Sequence, residues 1–120
     1  MMTWACGIPG KADTPWEGGL YKVEMAFTDD YPSKPPLVKF KPVIFHPNIS
    51  PSGRIRFHPN VSRMLDENQS WKPTITITQI LLGIQDLLNN PNNDDPAQRE
   101  PSQMLRRSKL EYETRVRIEA

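Results

Sequence analysis

Apolar and polar residues alternate along the first third of the chain. Tyr21, Val23, Met25 and Phe27 interleave with Lys22, Glu24 and Ala26, the period-two pattern of a strand with one buried face. Val38 and Phe40 interleave with Lys39 and Lys41 in the same way, and Trp4, Cys6 and Ile8 fall on one face of a further strand that opens the chain. Loops carrying Pro-Gly, Gly-Gly and Asp29-Asp30-Tyr31-Pro32 join these runs into an antiparallel meander. In the second half the period lengthens. Ile77, Ile80, Leu81, Ile84, Leu87 and Leu88 recur at helical spacing, Thr76 with Gln79 forms a capping box at the start, and Asn89-Asn90-Pro91 ends the helix. A second, more polar helix is predicted from about Ser102 to Glu119, with Glu111/Arg115 and Glu113/Arg117 as i,i+4 pairs. Strands first and helices after predict an α+β architecture in a single domain, 1–120.

Composition supports this division. The chain has 120 residues and 13 prolines, nine of which lie in the first half and none between Thr74 and Asn90, so the helical stretch is free of the residue that breaks helices. The 15 Lys and Arg against 14 Asp and Glu leave a net charge of +1, with no whole-chain field to hold nucleic acid or an anionic membrane. No apolar run approaches the ~20 residues of a bilayer span, and the first six residues have neither the basic flank nor the long apolar region of a signal peptide. The expectation is a soluble, intracellular domain. One cysteine, Cys6, excludes an internal disulfide and a Cys-rich zinc site.

Few residues carry candidate chemistry. Phe45-His46-Pro47-Asn48-Ile49-Ser50 recurs twelve residues later as Phe57-His58-Pro59-Asn60-Val61-Ser62, a local duplication or insertion in a loop region. His46 and His58 could ligate a metal, but nothing nearby completes a shell, and histidines hydrogen-bonded into a Pro-rich loop are the default. Cys6 is either a nucleophile or a buried thiol on an apolar strand face, and its alternation with Trp4 and Ile8 favours the latter. Asn92-Asn93-Asp94-Asp95 lacks the glycine and distal glutamate of a calcium loop, and reads as an exposed interhelical loop able to present one carboxylate. No metal and no cofactor is expected. The residues alone assemble no complete catalytic set.

An ordered series of motifs nevertheless resembles the ubiquitin-conjugating enzyme fold family, and within it the SUMO-conjugating branch. Ile8-Pro9-Gly10-Lys11, Thr14-Pro15-Trp16-Glu17-Gly18-Gly19, Asp29-Asp30-Tyr31-Pro32, Pro35-Pro36, Phe40 and His46-Pro47-Asn48 with Pro51-Ser52-Gly53 follow the family in order. Trp71-Lys72-Pro73, the run from Ile77 to Gln85 and Asp95-Pro96-Ala97-Gln98 continue it. Trp16, the long spacer from Leu65 to Trp71 and the Asp95–Gln98 run favour the SUMO branch.

The resemblance implies acyl transfer: a cysteine takes the modifier's C-terminal glycine as a thioester, and a substrate lysine then attacks it. By resemblance Asn48 steadies the oxyanion or its loop, Asp95 orients the incoming lysine, and Lys39, Ser52, Pro96 and Ala97 line the substrate groove. At the nucleophile position, ten residues after His46, stands Arg56, a permanent cation unable to form the thioester. Fifteen positions separate Arg56 from Trp71 where the branch pattern has ten, so Phe57–Val61 reads as an insertion at the catalytic position. Ser50 and Ser102 replace tyrosines of the branch, Leu37 replaces a substrate-facing lysine, and Arg99 and Pro101 replace small residues. The chain is expected to begin at the family's second strand, without its N-terminal helix and first strand, which exposes an edge strand and removes part of the surface for the activating enzyme and non-covalent SUMO.

Two functional expectations follow, and whether the chain is an enzyme stays open between them. The first is a pseudoenzyme of the sumoylation pathway, a binding module for SUMO, SUMO-activating enzyme, SUMO ligases and substrate proteins, engaging them through the loops around Asp29–Pro36 and Trp71–Pro73. The second is a truncated or misread form of an active SUMO-conjugating transferase. The resemblance also implies residence in nucleus and cytoplasm, with no nucleic-acid or membrane partner.

Overall fold

In the computed structural model, which describes residues 2–55, 72–94 and 96–120, an antiparallel sheet precedes three helices. The strands β1 (Met2–Pro9), β2 (Leu20–Phe27) and β3 (Leu37–Phe40) pair in the order β1-β2-β3. The helices are α1 (Ile77–Leu88), α2 (Arg99–Arg107) and α3 (Lys109–Glu119). This is the expected α+β meander, consistent with a ubiquitin-conjugating-enzyme-like fold.

Strand register follows from the alternation. Ile8 opposes Tyr21, Cys6 opposes Val23 and Trp4 opposes Met25, so the apolar residues of both strands share one face, while Val23 and Met25 continue that face onto Phe40 and Val38. Tyr21, Val23, Met25, Phe27, Val38 and Phe40 are all buried. The β1 contribution is graded rather than uniform: Ile8 is buried, Cys6 half-buried and Trp4 47% exposed. The expectation of a buried Cys6 is corrected accordingly, because α1 covers the Pro9 end of β1, where Gln85 Nε2 donates to Pro9 O at 2.9 Å, whereas Trp4, at the far end, meets Phe27 edge-on at 5.2 Å and stays half exposed.

Helix α1 starts where the sequence places it. Thr76 Oγ1 accepts from Gln79 N at 3.1 Å while Gln79 Oε1 accepts from Thr76 N at 2.7 Å, the reciprocal capping box. Ile80, Ile84, Leu87 and Leu88 then form its buried stripe. The single helix expected from Ser102 to Glu119 is two helices instead. The break is Ser108, held extended at φ −161° and ψ 114°, whose Oγ accepts from Glu111 N at 3.2 Å and so caps α3. With the chain redirected there, the ion pairs also differ from Glu111/Arg115 and Glu113/Arg117: Arg107 meets Glu111 across the break at 2.9 Å, and Arg115 meets Glu100 of α2 at 3.1 Å and Glu119 at 3.6 Å. The turn lets α3 lay Tyr112 and Val116 into the core, Tyr112 stacking on Phe45 at 5.9 Å while the Arg115 guanidinium lies 4.6 Å over the same ring.

Candidate functional site

The Phe45–Ser50 loop runs beneath the end of α1 and is buried almost throughout; His46 and Asn48 have no solvent exposure at all. A buried loop must find partners for its backbone polar groups, and here side chains from distant segments provide them. Asn48 N–H donates to His46 Nδ1 at 3.0 Å, so the imidazole proton sits on Nε2, which donates to Leu87 O at 3.0 Å. His46 thereby ties the loop to α1. This is the hydrogen-bonded histidine expected of a Pro-rich loop, and no group of three metal-ligating side chains occurs among the described residues. His58, the second histidine of the repeat, lies outside them.

Asn48 forms a two-way staple with the segment after α1. Its Nδ2 donates to Asn92 O at 2.7 Å and its Oδ1 accepts from Asn92 N at 2.8 Å. One amide proton and the carbonyl oxygen are therefore committed to Asn92, an arrangement that fixes loop geometry. Asn92 and Asn93 are half-buried rather than exposed, which corrects the expectation for this loop. The cause is pairing: Asn93 Nδ2 donates to Ser102 O at 3.1 Å and Ser102 Oγ donates to Asn93 Oδ1 at 2.6 Å. Asp94 is exposed. Asp95 and Arg56, the expected lysine-orienting residue and the residue at the nucleophile position, lie outside the described residues.

A third fastener is Gln98, to which the sequence reading gave no role. Its Nε2 reaches Ile44 O and Ile49 O at 2.9 Å each and His46 O at 3.3 Å, two amide protons serving three carbonyls of the loop. The backbone reinforces it, with Ala97 N donating to Pro47 O at 2.8 Å and Gln98 N to the same oxygen at 3.3 Å. This clamp seats Pro96 and Ala97, both half-buried, against the His46-Pro47-Asn48 turn. Gln98 is also the N-cap of α2, and with its amide occupied it makes no side-chain cap bond there. A glutamine after Pro-Ala, where a helix start calls for Ser, Thr, Asp or Asn, is the sequence signal of such a diversion.

Lys39 and Ser52 belong to the other flank. Gly53, at φ +91°, makes a tight turn that docks on β3, Phe40 N donating to Gly53 O at 2.8 Å; a Cβ at Gly53 would stand 2.2 Å from Phe40 O. The turn sets Arg54 opposite Lys39 and Ile55 opposite Ile49. Ser52 Oγ lies 2.7 Å from Ser50 Oγ, and Ser50 Oγ accepts from Arg54 N at 3.2 Å. Ser50 and Ser102, which by resemblance replace tyrosines, are both buried and spend their hydroxyls on neighbouring loop groups. Lys39, Arg54 and Ser52 are exposed.

The one thiol is elsewhere. Cys6 faces the core side of β1, its Sγ 3.9 Å from Met25 Sδ.

Comparison with known proteins places these features. The ubiquitin-conjugating enzyme family model matches residues 1–120. The chain is 53% identical over 120 residues to the SUMO-conjugating enzyme UBC9 of Caenorhabditis elegans, covering 100% of this chain and 69% of that protein. It is 48% identical to the Sumo-conjugating enzyme ubc9 of Dictyostelium discoideum and 47% identical to the SUMO-conjugating enzyme SCE1 of Arabidopsis thaliana, each over 100% of this chain and 72% of the relative.

Proposed function

The chain belongs to the ubiquitin-conjugating enzyme family, and on that premise we propose that it serves the SUMO pathway as a binding module that holds partners without carrying the thioester. The observation that carries this reading is the place of the only cysteine. Cys6 lies in the middle of β1, half-buried against Met25, whereas the frame that the family uses for acyl transfer is built on the Phe45–Ser50 loop. Arg56 at the nucleophile position is permanently protonated and has no electron pair to offer a glycyl carbonyl.

The retained frame supports a binding role. His46, Asn48 and Gln98 hold the loop, so Pro96, Ala97, Lys39 and Ser52 can present a groove to substrate proteins with or without a nucleophile. The Asp29–Pro36 loop is braced by Tyr31, edge-on to Phe27 at 4.8 Å, and Lys72 and Pro73 are exposed; both are surfaces for ligases or the activating enzyme. Trp71 lies outside the described residues. Residence in nucleus and cytoplasm belongs to the same proposal. Incubation with SUMO-activating enzyme, SUMO and ATP followed by a non-reducing gel tests it: no thiol-sensitive adduct is expected, and one would overturn it.

One observation favours a second reading, an altered form of an active transferase. Identity to a SUMO-conjugating enzyme extends over all 120 residues at 53%, while the disturbance is concentrated in a stretch that copies Phe45–Ser50. Sequencing the native transcript separates the two, since a message encoding Arg56–Val61 as it stands removes the second.

A further inference from the structure

The Phe45–Ser50 loop is seated by a few side chains of its own. Phe45 stacks on Tyr112 at 5.9 Å beneath the Arg115 guanidinium, and His46 Nε2 donates to Leu87 O at 3.0 Å. Asn48 makes its two bonds to Asn92, and Ile49 is fully buried. The remaining fasteners are blind to sequence: Gln98 Nε2 and the backbone N–H groups of Ala97 and Gln98 reach only carbonyls, which every residue supplies. A segment with Phe, His, Asn and an aliphatic residue at the same spacing therefore satisfies the whole seat. Twelve residues on, Phe57-His58-Pro59-Asn60-Val61-Ser62 has that form, identical at five of six positions. The single change, Val61 for Ile49, takes one methylene from a buried site and adds no polar atom.

We infer that the seat built from Leu87, Asn92, Ala97, Gln98 and Tyr112 has a second occupant in the same chain, the Phe57-His58-Pro59-Asn60-Val61-Ser62 copy, which exchanges with the first. The inference goes beyond the proposed function and does not depend on it. Chain length permits the exchange. With the second copy seated, 13 residues join Ser62 to the Thr76 cap of α1, a reach of roughly 40 Å when extended, in a molecule measuring 43 × 27 × 23 Å. The 16 residues between Phe40 and Phe57 then form a loop, and the entropy of closing a loop rises only slowly with its length.

The first copy holds the seat in the structure for reasons that lie mostly in its flanks. Behind it comes the Gly53 turn, docked on β3 through the Phe40 N–Gly53 O bond at 2.8 Å, with Arg54 opposite Lys39. Ahead of it stands Ile44, half-buried against the core, where the second copy brings the charged Arg56. Exchange removes residues 51–54 from β3, and with them the Ser52 flank of the groove, while Pro96 and Ala97 stay on the other side. The two seatings are thus a groove formed and a groove opened, a two-state element biased toward the first.

NMR of the histidine rings on the full chain tests this, since the sequence has two histidines. In His46→Ala the His58 ring should take on the signature that His46 has in the parent, neutral and protonated on Nε2, with that proton exchanging at least about tenfold more slowly than the His58 proton of the parent. Thermal unfolding gives a second readout. His58→Ala should move the midpoint by less than about 1 °C in the parent and lower it by about 5 °C or more in His46→Ala. Asn48→Ala with Asn60→Ala repeats the cycle at the staple and decides the matter where His46→Ala fails to fold. Sedimentation should show a monomer throughout. A His58 ring unchanged by His46→Ala, second-copy substitutions with equal effects in both backgrounds, or a rescue seen only in a dimer would overturn it.

Discussion

Gln98 and Arg99 are neighbours in the chain and opposites in what they do. Gln98 turns inward and spends its amide on carbonyls of the Phe45–Ser50 loop; Arg99 points outward from an open cavity with no anionic partner among the described residues. The same contrast holds across the site. His46, Asn48 and Gln98 are the fasteners of a buried loop, whereas Leu37, Arg56 and Arg99 are proposed, on the resemblance, to stand at nucleophile and groove positions. Architecture and chemistry are therefore separable. Asn48 has a structural task in the staple to Asn92 whether or not an oxyanion ever forms.

The contrast can be broken by mutation. The largest effect is expected for Gln98→Ala, which strips three partly buried loop carbonyls of a donor; a loss of about 3 kcal/mol in urea unfolding is expected, against less than about 0.5 kcal/mol for Arg99→Ala. Comparable losses for the two would erase the distinction. Gly53→Ala comes next, at roughly 2 kcal/mol, because the added Cβ meets both a left-handed backbone and the carbonyl of Phe40. Its thermal midpoint should fall, and the turn that sets Arg54 opposite Lys39 should loosen with it. Ser108→Ala removes the α3 cap and should cost about 1 kcal/mol by the same measurement.

Tyr112→Phe should have the smallest effect and the opposite sign. The hydroxyl is buried and has no hydrogen-bond partner among the described residues, so deleting it should leave stability unchanged or raise it by up to about 1 kcal/mol. Burial first, and the Glu113 carboxylate second, push the phenol well above its ordinary value of 10.0. A raised folded value means that stability is fully present below pH 10.0 and is lost as the pH climbs toward the folded value, since the unfolded chain ionises first. Urea midpoints above pH 10 should thus fall more steeply in the parent than in Tyr112→Phe. Tyr21, also raised by burial, retains part of the slope.

The sheet and α1 were legible because their signals are local. Period-two alternation set the faces of β2 and β3, and Thr76 with Gln79 set the start of α1. The break at Ser108 was missed, although Ser108-Lys109-Leu110-Glu111 has the Ser-x-x-Glu form of a helix start; the continuous polar pattern on either side concealed it. The grading of β1 was not readable, since the cover of Cys6 and Trp4 depends on where α1 lies. The Gln98 clamp and the Asn48–Asn92 staple were out of reach for a similar reason: each joins residues more than forty positions apart, and only the folded chain brings such partners together.

The proposed function is that this chain keeps the frame of a conjugating enzyme without its thioester chemistry. Intact-mass spectrometry of the whole chain after reaction with SUMO-activating enzyme, SUMO and ATP, before and after thiol treatment, tests it most directly. The expected result is one unchanged mass in both samples; a mass increased by one SUMO and restored by thiol would contradict it.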